Sequence, residues 1–306
     1  MSGITMTTPH LDSIRTEQRN PRTASFDTLD TIELLTVMND EDHFVAEAVK
    51  KQLPQIARAL DAIAERMQRG GRLVYCGAGS SGRLGVLDAA ECGPTFSAKA
   101  GQVLSLIAGG PGAMLLAVEG AEDDAELGAH DLGSIGLSAL DCVVGIAASG
   151  RTPYVIGALQ AALRKGALRV ALVCSDNSPV AAAAEIAIEV LPGPEVLTGS
   201  TRLKAGTAQK MVLNMLSTGA FVRLHKVYGN LMVDLAASNE KLRARCLRIV
   251  EQATHCDEQT AMAALRQSHG EVKVAVVLLL LRCTPEIART RLHGAAGSVR
   301  AAIAVS

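Results

Sequence analysis

The chain has 306 residues, of which 48% are hydrophobic and 20% are charged, and this balance is typical of a folded globular protein. Its 30 Lys and Arg residues nearly match its 31 Asp and Glu residues, so no net field attracts a nucleic-acid backbone or an anionic membrane surface. Aromatic residues make up only 2% of the chain and Trp is absent, which leaves few side chains on which nucleic-acid bases stack.

The start of the chain is polar and shows no periodic pattern. Residues 1–15 are rich in Thr and Ser, have no apolar core and carry an acidic residue, unlike a secretory signal. We therefore expect a cytoplasmic protein. Because Pro21 disfavours helix in the residue before it, residues 16–20 are predicted to form an extended arm that frays or reaches across a partner.

A long helix is predicted from Asp40, with acidic residues at its positive end. Apolar residues recur in it at helical spacing: Phe44, Val45, Val49, Leu53, Ile56, Leu60, Ile63 and Met67. One face of this helix is therefore predicted to be buried. Gly70 and Gly71 are expected to end it.

Five apolar segments without polar alternation follow, and such segments are typical of strands buried on both faces of a parallel sheet. They span residues 72–76, 103–107, 142–147, 169–174 and 187–191. Helical segments or loops separate most of them. The pattern predicts a doubly wound, mainly parallel α/β domain. No apolar run approaches the roughly 20 residues that a membrane-spanning helix requires, so we expect no membrane contact.

The rest of the chain has helical patterns only. A long amphipathic helix is predicted over residues 203–224, and further helices over residues 237–306 are broken near Thr284 and His293. We predict an N-terminal helical arm and a small C-terminal all-helical cap around the α/β sheet. The predicted divisions are residues 1–40, 41–236 with a core at about 62–225, and 237–306.

The strongest local motif is Gly77-Ala-Gly-Ser-Ser-Gly-Arg83, between a predicted strand and a predicted helix. Backbone N–H groups at Gly79, with the hydroxyls of Ser80 and Ser81, are suited to cradle a phosphate at the helix N-terminus. The motif also fits the dinucleotide pattern. The two serines and the lack of an acidic residue about 20 positions later argue against NAD. A plain tight turn remains an alternative.

Two further polar loops repeat this chemistry. Residues 147–154 contain Ser149, Gly150 and Thr152 directly after a predicted strand. Residues 198–204 contain three more candidate ligands, Ser200, Thr201 and Lys204. Capping of the following helix explains this cluster equally well. Hydroxyl-rich loops at strand ends mark the crevice in which open α/β sheets bind ligands. Together these loops favour a sugar phosphate as the ligand.

Cysteine and histidine show no site pattern. The seven cysteines are odd in number and lack CxxC spacing, which predicts reduced core residues. The seven histidines form no paired spacing typical of metal ligands, so we expect no metal site.

Several segments together resemble the N-acetylmuramic acid 6-phosphate etherases of the sugar isomerase (SIS) fold superfamily. The resemblance runs over nearly the whole chain. Its strongest part is the three polar loops, at residues 77–85, 147–154 and 197–210. Further matching segments are residues 16–21, 87–92, 118–123 and 227–235.

The resemblance implies an enzyme that cleaves the D-lactyl ether at C3 of N-acetylmuramic acid 6-phosphate, giving N-acetylglucosamine 6-phosphate and D-lactate. It implies a homodimer that needs no metal and acts in recycling of the bacterial cell wall. By this likeness Glu91 matches the family's proton donor and Glu122 its second catalytic acid. The chain departs from the family's usual pattern at Ala90 and Gly93, beside the first of these acids.

Two carboxyl groups suit this reaction, because one must remove the C2 proton and another must protonate the departing lactate oxygen. The sequence does not assign the two roles. A helix from Ser81 to Pro94 places Glu91 about 15 Å from the cradle, at 1.5 Å per residue, unless it ends early, bends or lies against the pocket. We therefore predict a two-fold dimer in which one subunit's acid completes the partner's site.

Two other functions remain open. Glucokinase regulatory proteins share this fold and bind sugar phosphates without turning them over, but they have two related halves. An aldose–ketose isomerase uses the same cradle and a carboxylate base, yet needs no acid to expel a C3 substituent. Release of D-lactate separates the etherase from both.

Overall fold

Five short strands form one parallel sheet at the centre of this computed structural model, which describes residues 14–235 and 240–304. In chain order the strands are β1 Leu73–Gly77, β2 Val103–Ile107, β3 Cys142–Ala147, β4 Leu168–Val173 and β5 Ile186–Glu189. Their spatial order is β2-β1-β3-β4-β5, and every neighbouring pair is parallel. Each lies within two residues of its predicted position, so the predicted parallel α/β sheet is confirmed.

Helices cover both faces of the sheet. The helices beside the sheet are α1 Thr31–Lys51, α2 Leu53–Gln68, α3 Gly79–Phe96, α4 Ala125–Ser134, α5 Pro153–Lys165, α6 Pro179–Ala182 and α7 Lys204–Arg223. One core contains side chains of α1, α2, α3 and α7 with one face of the sheet, and another contains α4, α5 and the opposite face. The sheet is therefore wound on both sides, as its continuous apolar strands predict.

The N-terminal helices differ from the prediction of one helix beginning at Asp40. Helix α1 begins nine residues earlier because Asp30 and Glu33 form a capping box, in which each side chain accepts the other's backbone N–H. The helix also breaks after Lys51, where Pro54 lies in the first turn of α2 and has no N–H to continue the ladder. Gly70 and Gly71 follow the end of α2, as predicted.

The segment before α1 lies against its own chain. It forms three short 3₁₀ turns instead of the predicted extended arm, at Arg15–Glu17, Pro21–Thr23 and Phe26–Thr28. The guanidinium of Arg15 donates two hydrogen bonds to the Asp176 carboxylate, at 2.7 and 3.0 Å. The Thr23 hydroxyl donates to the backbone of Val196 at 2.9 Å. These contacts fix the segment beside the loops that follow β4 and β5.

The end of the chain is helical throughout its described part. The helices are α8 Glu240–Thr254, α9 Glu258–Gln267, α10 Val272–Leu281, α11 Pro285–Gly294 and α12 Val299–Ile303. They share a separate apolar core. The breaks predicted near Thr284 and His293 coincide with the start and end of α11. The predicted division after residue 236 falls among residues 236–239, which lie outside the described residues.

Two further findings concern the whole described chain. All seven cysteines are free thiols, five of them buried, which agrees with the prediction of reduced core residues. Within residues 14–235 and 240–304, no helix combines the length and apolar character needed to span a bilayer.

Candidate active site

The order of the strands places a crevice between β1 and β3. Strand β1 connects through α3 to β2 on one side, whereas β3 lies on its other side, so the chain reverses direction across the sheet here. Gly77 at the end of β1 lies opposite Ile146 of β3, and both strands end at the same edge. Open parallel sheets bind ligands at such a reversal, beyond the carboxyl ends of the strands. Two of the predicted polar loops leave the sheet at this point.

The first loop is tight because two glycines touch. A side chain at Gly82 would place its Cβ 2.7 Å from the backbone oxygen of Gly77, and one at Gly77 would meet the Gly82 nitrogen at 2.9 Å. Helix α3 therefore begins directly against the end of β1. Its first-turn N–H groups, at Gly79, Ser80 and Ser81, have no acceptor within the helix. These donors are suited to an anion.

The two serines of this loop have different surroundings. Ser80 is half-buried and lines an open cavity. Ser81 is buried, and its hydroxyl donates to the Gln209 side-chain oxygen at 2.9 Å. The Gln209 amide nitrogen is buried with no hydrogen-bond partner among the described residues. Ser80 is thus free to contact a ligand directly, whereas the Ser81 hydroxyl binds Gln209 and so connects the loop to α7.

The second loop follows β3. Gly150 has a φ of +69°, and a Cβ there would lie 2.3 Å from the Ser178 side chain, so both conformation and space require glycine. The Ser149 hydroxyl accepts the Arg151 N–H at 3.3 Å. Thr152 is the N-cap of α5, yet its half-buried side chain does not cap the helix. Its hydroxyl is therefore available at the positive end of α5.

The third cluster is organised differently from the prediction. Ser200 and Thr201 are half-buried in the turn before α7, but neither caps that helix. The Glu195 carboxylate caps it instead, accepting the N–H groups of Lys204 and Ala205 at 2.9 Å each. Burial raises the pKa of Glu195, against the opposing effect of these two hydrogen bonds. The capping interpretation of Ser200 and Thr201 is wrong, and both hydroxyls remain candidates for a ligand.

Lys204 does not present its charge to a ligand. Its side chain is 2% exposed, and its ammonium nitrogen lies 2.6 Å from the Glu41 carboxylate in α1. This buried ion pair ties the start of α7 to α1. No local sequence pattern indicates this pair, because Glu41 and Lys204 are 163 positions apart. Lys204, like the Ser81 hydroxyl, is therefore a predicted ligand whose polar group is bonded inside the protein.

Glu122 lies beside the cradle. It is exposed in a short 3₁₀ turn, Ala121–Asp123, which follows β2. A cavity of about 330 Å³, here called the Glu122 cavity, joins this turn to the start of α3. Its lining residues include Gly79, Arg83, Val118, Glu119 and Glu122. One predicted acid and the first residue of the cradle helix therefore share one cavity.

A second cavity, of about 530 Å³, lies between α3 and α7 and is here called the α3–α7 cavity. Its polar and charged lining residues are Ser80, Arg83, Arg202, Thr207 and Lys210. Arg83 lines both cavities. Sequence reasoning did not select Arg83, although it stands in the cradle motif one helical turn after Gly79.

Glu91 lies on α3, beyond the cradle of its own chain. Helix α3 continues to Phe96, past Pro94, so it neither ends early nor leaves Glu91 in a loop. Glu91 is exposed and lines neither the Glu122 cavity nor the α3–α7 cavity. Ten residues of helix after Ser81 correspond to about 15 Å. The structure thus brings one of the two predicted acids to the cradle of its own chain.

A buried polar cluster holds α3 one turn before Glu91. The Asp88 carboxylate accepts hydrogen bonds from Tyr75 of β1 and from Asn214 of α7, each at 2.7 Å, and from Ser217 at 3.1 Å. Burial first, and the Asp88 charge second, raise the pKa of Tyr75 well above its usual value. The Tyr75 hydroxyl therefore stays protonated and donates. This cluster fixes α3 between the sheet and α7.

No set of three or more His, Cys, Asp and Glu side chains in residues 14–235 and 240–304 has the arrangement of a metal site. The chemical groups that the site offers are backbone N–H groups, hydroxyls, carboxyls and the cationic side chains of Arg83, Arg202 and Lys210. Such groups bind an anion and transfer protons.

Comparison with known proteins identifies several relatives of this chain. A model of the SIS domain matches residues 130–219, and a model of the glucokinase regulatory protein N-terminal SIS domain matches residues 55–163. An N-acetylmuramic acid 6-phosphate etherase of Mycolicibacterium smegmatis is 55% identical over 96% of this chain and 98% of its own. Etherases of the same name from Cronobacter sakazakii and Streptomyces coelicolor are 55% and 54% identical, covering 96% and 98% of this chain and 99% and 98% of theirs. A solved phosphoheptose isomerase from Francisella tularensis is 16% identical, with a TM-score of 0.49 over 63% of this chain and 100% of that chain.

Proposed function

This chain belongs to the family of N-acetylmuramic acid 6-phosphate etherases, and from that premise we propose how its residues act. The protein is a carbon–oxygen lyase that converts N-acetylmuramic acid 6-phosphate into N-acetylglucosamine 6-phosphate and D-lactate. The observation that carries this function in the site is the cavity shared by Glu122 and the start of α3, since it sets a carboxyl group beside a phosphate cradle.

The phosphate binds at the crevice between β1 and β3. Its ligands are the first-turn N–H groups of α3, the Ser80 hydroxyl, and Ser149 and Thr152 of the second loop. The free N–H groups and the unbonded Thr152 hydroxyl support this assignment. Ser200 and Thr201 complete the pocket from the turn before α7. Lys204 is not one of these ligands, because its ammonium is paired with Glu41.

The ether is cleaved by elimination and hydration. Opening of the sugar ring exposes an aldehyde at C1, which acidifies the proton on C2. A carboxylate takes this proton as the C3–O bond breaks, and a carboxylic acid protonates the departing lactate oxygen. Water then adds to C3 of the unsaturated aldehyde. Each positioned acid–base group contributes about 10²–10⁴-fold to the rate.

Glu91 and Glu122 supply these two carboxyl groups from different subunits of a two-fold dimer. Glu122 acts on the substrate in its own cradle, and Glu91 of the partner completes the site. The exposure of Glu91, and its distance along α3, support this arrangement. Leu87, Leu115 and Leu116, which are 51%, 89% and 75% exposed, offer apolar surface for such a contact. Isologous pairing builds two equal composite sites.

The reaction takes place in the cytoplasm. Five buried cysteines that remain free thiols support this compartment, because reducing conditions keep cysteines unpaired.

The test is to incubate the purified protein with N-acetylmuramic acid 6-phosphate and to measure D-lactate and N-acetylglucosamine 6-phosphate. We expect both products in equal amounts, and at least about 10²-fold less of each with a Glu122→Gln control. An isomerase would form a ketose and leave the lactyl group in place. A regulator would bind the sugar phosphate and release nothing. Either result would refute the proposed function.

A further inference from the structure

Arg83 carries a positive charge that the protein does not neutralise. No carboxylate lies within ion-pair distance of its guanidinium in the described part of the chain. Arg83 is also the only cation among the described residues that line the Glu122 cavity, whose other charged residues are Glu119 and Glu122. An unpaired guanidinium in a cavity is a potential anion ligand.

The guanidinium is held in one orientation. Its Nε donates to the backbone oxygen of Met114 at 3.2 Å, in the segment that follows β2. No described residue accepts a hydrogen bond from its two terminal nitrogens. Arg83 itself is half-buried on α3, one helical turn after Gly79. The free terminal nitrogens form a planar pair of donors, and this pair matches the two oxygens of a carboxylate.

The substrate of the proposed function carries two anions. Its phosphate has ligands in the N–H groups and hydroxyls of the two strand-end loops. Its lactyl carboxylate has none among those residues. The lactyl group must also lie near the carboxyl group that protonates the leaving oxygen, and Arg83 is the cation that shares a cavity with Glu122. Arg202 and Lys210 line the α3–α7 cavity but not the Glu122 cavity.

We propose that Arg83 binds the carboxylate of the substrate's lactyl group through its two terminal nitrogens. This inference rests on the proposed etherase function. Arg83 holds the leaving group beside Glu122 and selects substrates that carry a carboxylate at this position. It makes no contact with N-acetylglucosamine 6-phosphate, the product that has lost the lactyl group.

The test compares Arg83→Met with the wild type on two ligands. For N-acetylmuramic acid 6-phosphate, kcat/KM should fall by at least about tenfold, the loss that corresponds to removing even one hydrogen bond to a charged group. The inhibition constant for N-acetylglucosamine 6-phosphate should change less than about twofold. Arg164→Met, at an exposed position in the last turn of α5, is the matched control and should alter neither value.

A substrate whose lactyl carboxylate is replaced by a neutral amide gives a second measurement that needs no variant. The wild type should turn over the lactyl amide of the substrate at least about tenfold less efficiently than the acid. Arg83→Met should treat the acid and the amide alike. The wild-type comparison of acid and amide remains decisive even if thermal unfolding shows that Arg83→Met is unstable.

Three outcomes would overturn the inference. Equal losses for substrate and product would place Arg83 on the phosphate. An unchanged kcat/KM in Arg83→Met would remove it from the site, and so would equal turnover of acid and amide by the wild type. If the wild type releases no D-lactate from the natural substrate, the proposed function itself fails, and that result is separate from all three.

Discussion

Ser80 and Ser81 are neighbours in the cradle, yet their hydroxyls have different surroundings. Ser80 faces the α3–α7 cavity, whereas the Ser81 hydroxyl is bonded to Gln209 beneath the loop. A hydroxyl in a cavity affects ligand affinity, and one bonded inside the protein affects stability. If Ser80 binds the phosphate as proposed, substitution of Ser80 should alter binding and substitution of Ser81 should alter stability.

Replacing each serine by alanine tests this difference. Ser80→Ala should raise KM about tenfold, through loss of a hydrogen bond to a charged group, and leave stability nearly unchanged. Ser81→Ala should lower the free energy of unfolding by about 1–2 kcal/mol, because the Gln209 oxygen loses its donor. Steady-state kinetics and urea unfolding measure the two effects. The assignment is wrong if the pattern is reversed.

The roles of the two glutamates are tested by replacing each with glutamine, whose side chain has nearly the same volume. Glu91→Gln and Glu122→Gln should fold normally, still bind N-acetylglucosamine 6-phosphate, and lose at least about 10²-fold in D-lactate release. The variant that still exchanges the C2 proton in deuterium oxide retains the base, so the other variant has lost it. Near-normal turnover in either variant would remove that glutamate from the reaction.

Strands β1 and β3, which carry the two ligand loops, are also tied together at their opposite ends. The Arg72 guanidinium and backbone N–H donate to the Asp141 carboxylate, which is 2% exposed, with the shortest contact at 2.7 Å. The Ser138 N–H donates to it as well. Burial alone would raise the pKa of Asp141, but the Arg72 and backbone hydrogen bonds together outweigh burial and lower it.

A lowered pKa makes this tie dependent on pH. The carboxylate's contribution is fully present above the unfolded pKa of about 3.9, and it is lost as pH falls through the lower folded value. Asp141→Asn should therefore lower the free energy of unfolding by about 3 kcal/mol at pH 7, and by progressively less below pH 4. Urea unfolding of the wild type and the variant at pH 7 and below pH 4 measures this difference in the free energy of unfolding. Asp176→Asn, in an exposed pair with Arg15, is the control and should change little.

The sequence predicts the elements that repeat a simple pattern. All five strands follow from their apolar runs, and the cradle loop follows from its glycines, because both depend on neighbouring residues. The Asp30 cap and the break before Pro54 also depend on neighbouring residues. The regular apolar spacing nevertheless favours one unbroken helix from Asp40, so the prediction misses both. The Glu41–Lys204 and Ser81–Gln209 pairs depend on contacts 163 and 128 positions apart. No local pattern reports such pairs.

The whole molecule raises the question of where Glu91 acts. Family likeness names both glutamates, whereas the geometry of α3 separates Glu91 from the cradle of its own chain. A dimer with shared sites reconciles these observations. Each subunit then contributes a cradle with Glu122 to one site and Glu91 to the other.

Hybrid dimers test this arrangement. Glu91→Gln and Ser80→Ala subunits are each impaired alone, but one site of their hybrid contains both intact residues if the site is shared. With substrate well below the wild-type KM, where a raised KM lowers the rate, mixing them should restore activity above the sum of the parents, toward about half the wild-type rate per hybrid dimer. Mass spectrometry of differently tagged subunits verifies exchange. With exchange verified, no recovery would place both residues in one chain's site.

The most direct test of the account follows the oxygen of the broken bond. The reaction is run in water labelled with oxygen-18, and both products are examined by mass spectrometry. Elimination followed by hydration breaks the C3–O bond, so one labelled oxygen should appear at C3 of N-acetylglucosamine 6-phosphate and none in D-lactate. Label in the lactate, with none at C3, would mean that the other carbon–oxygen bond breaks and would contradict the mechanism.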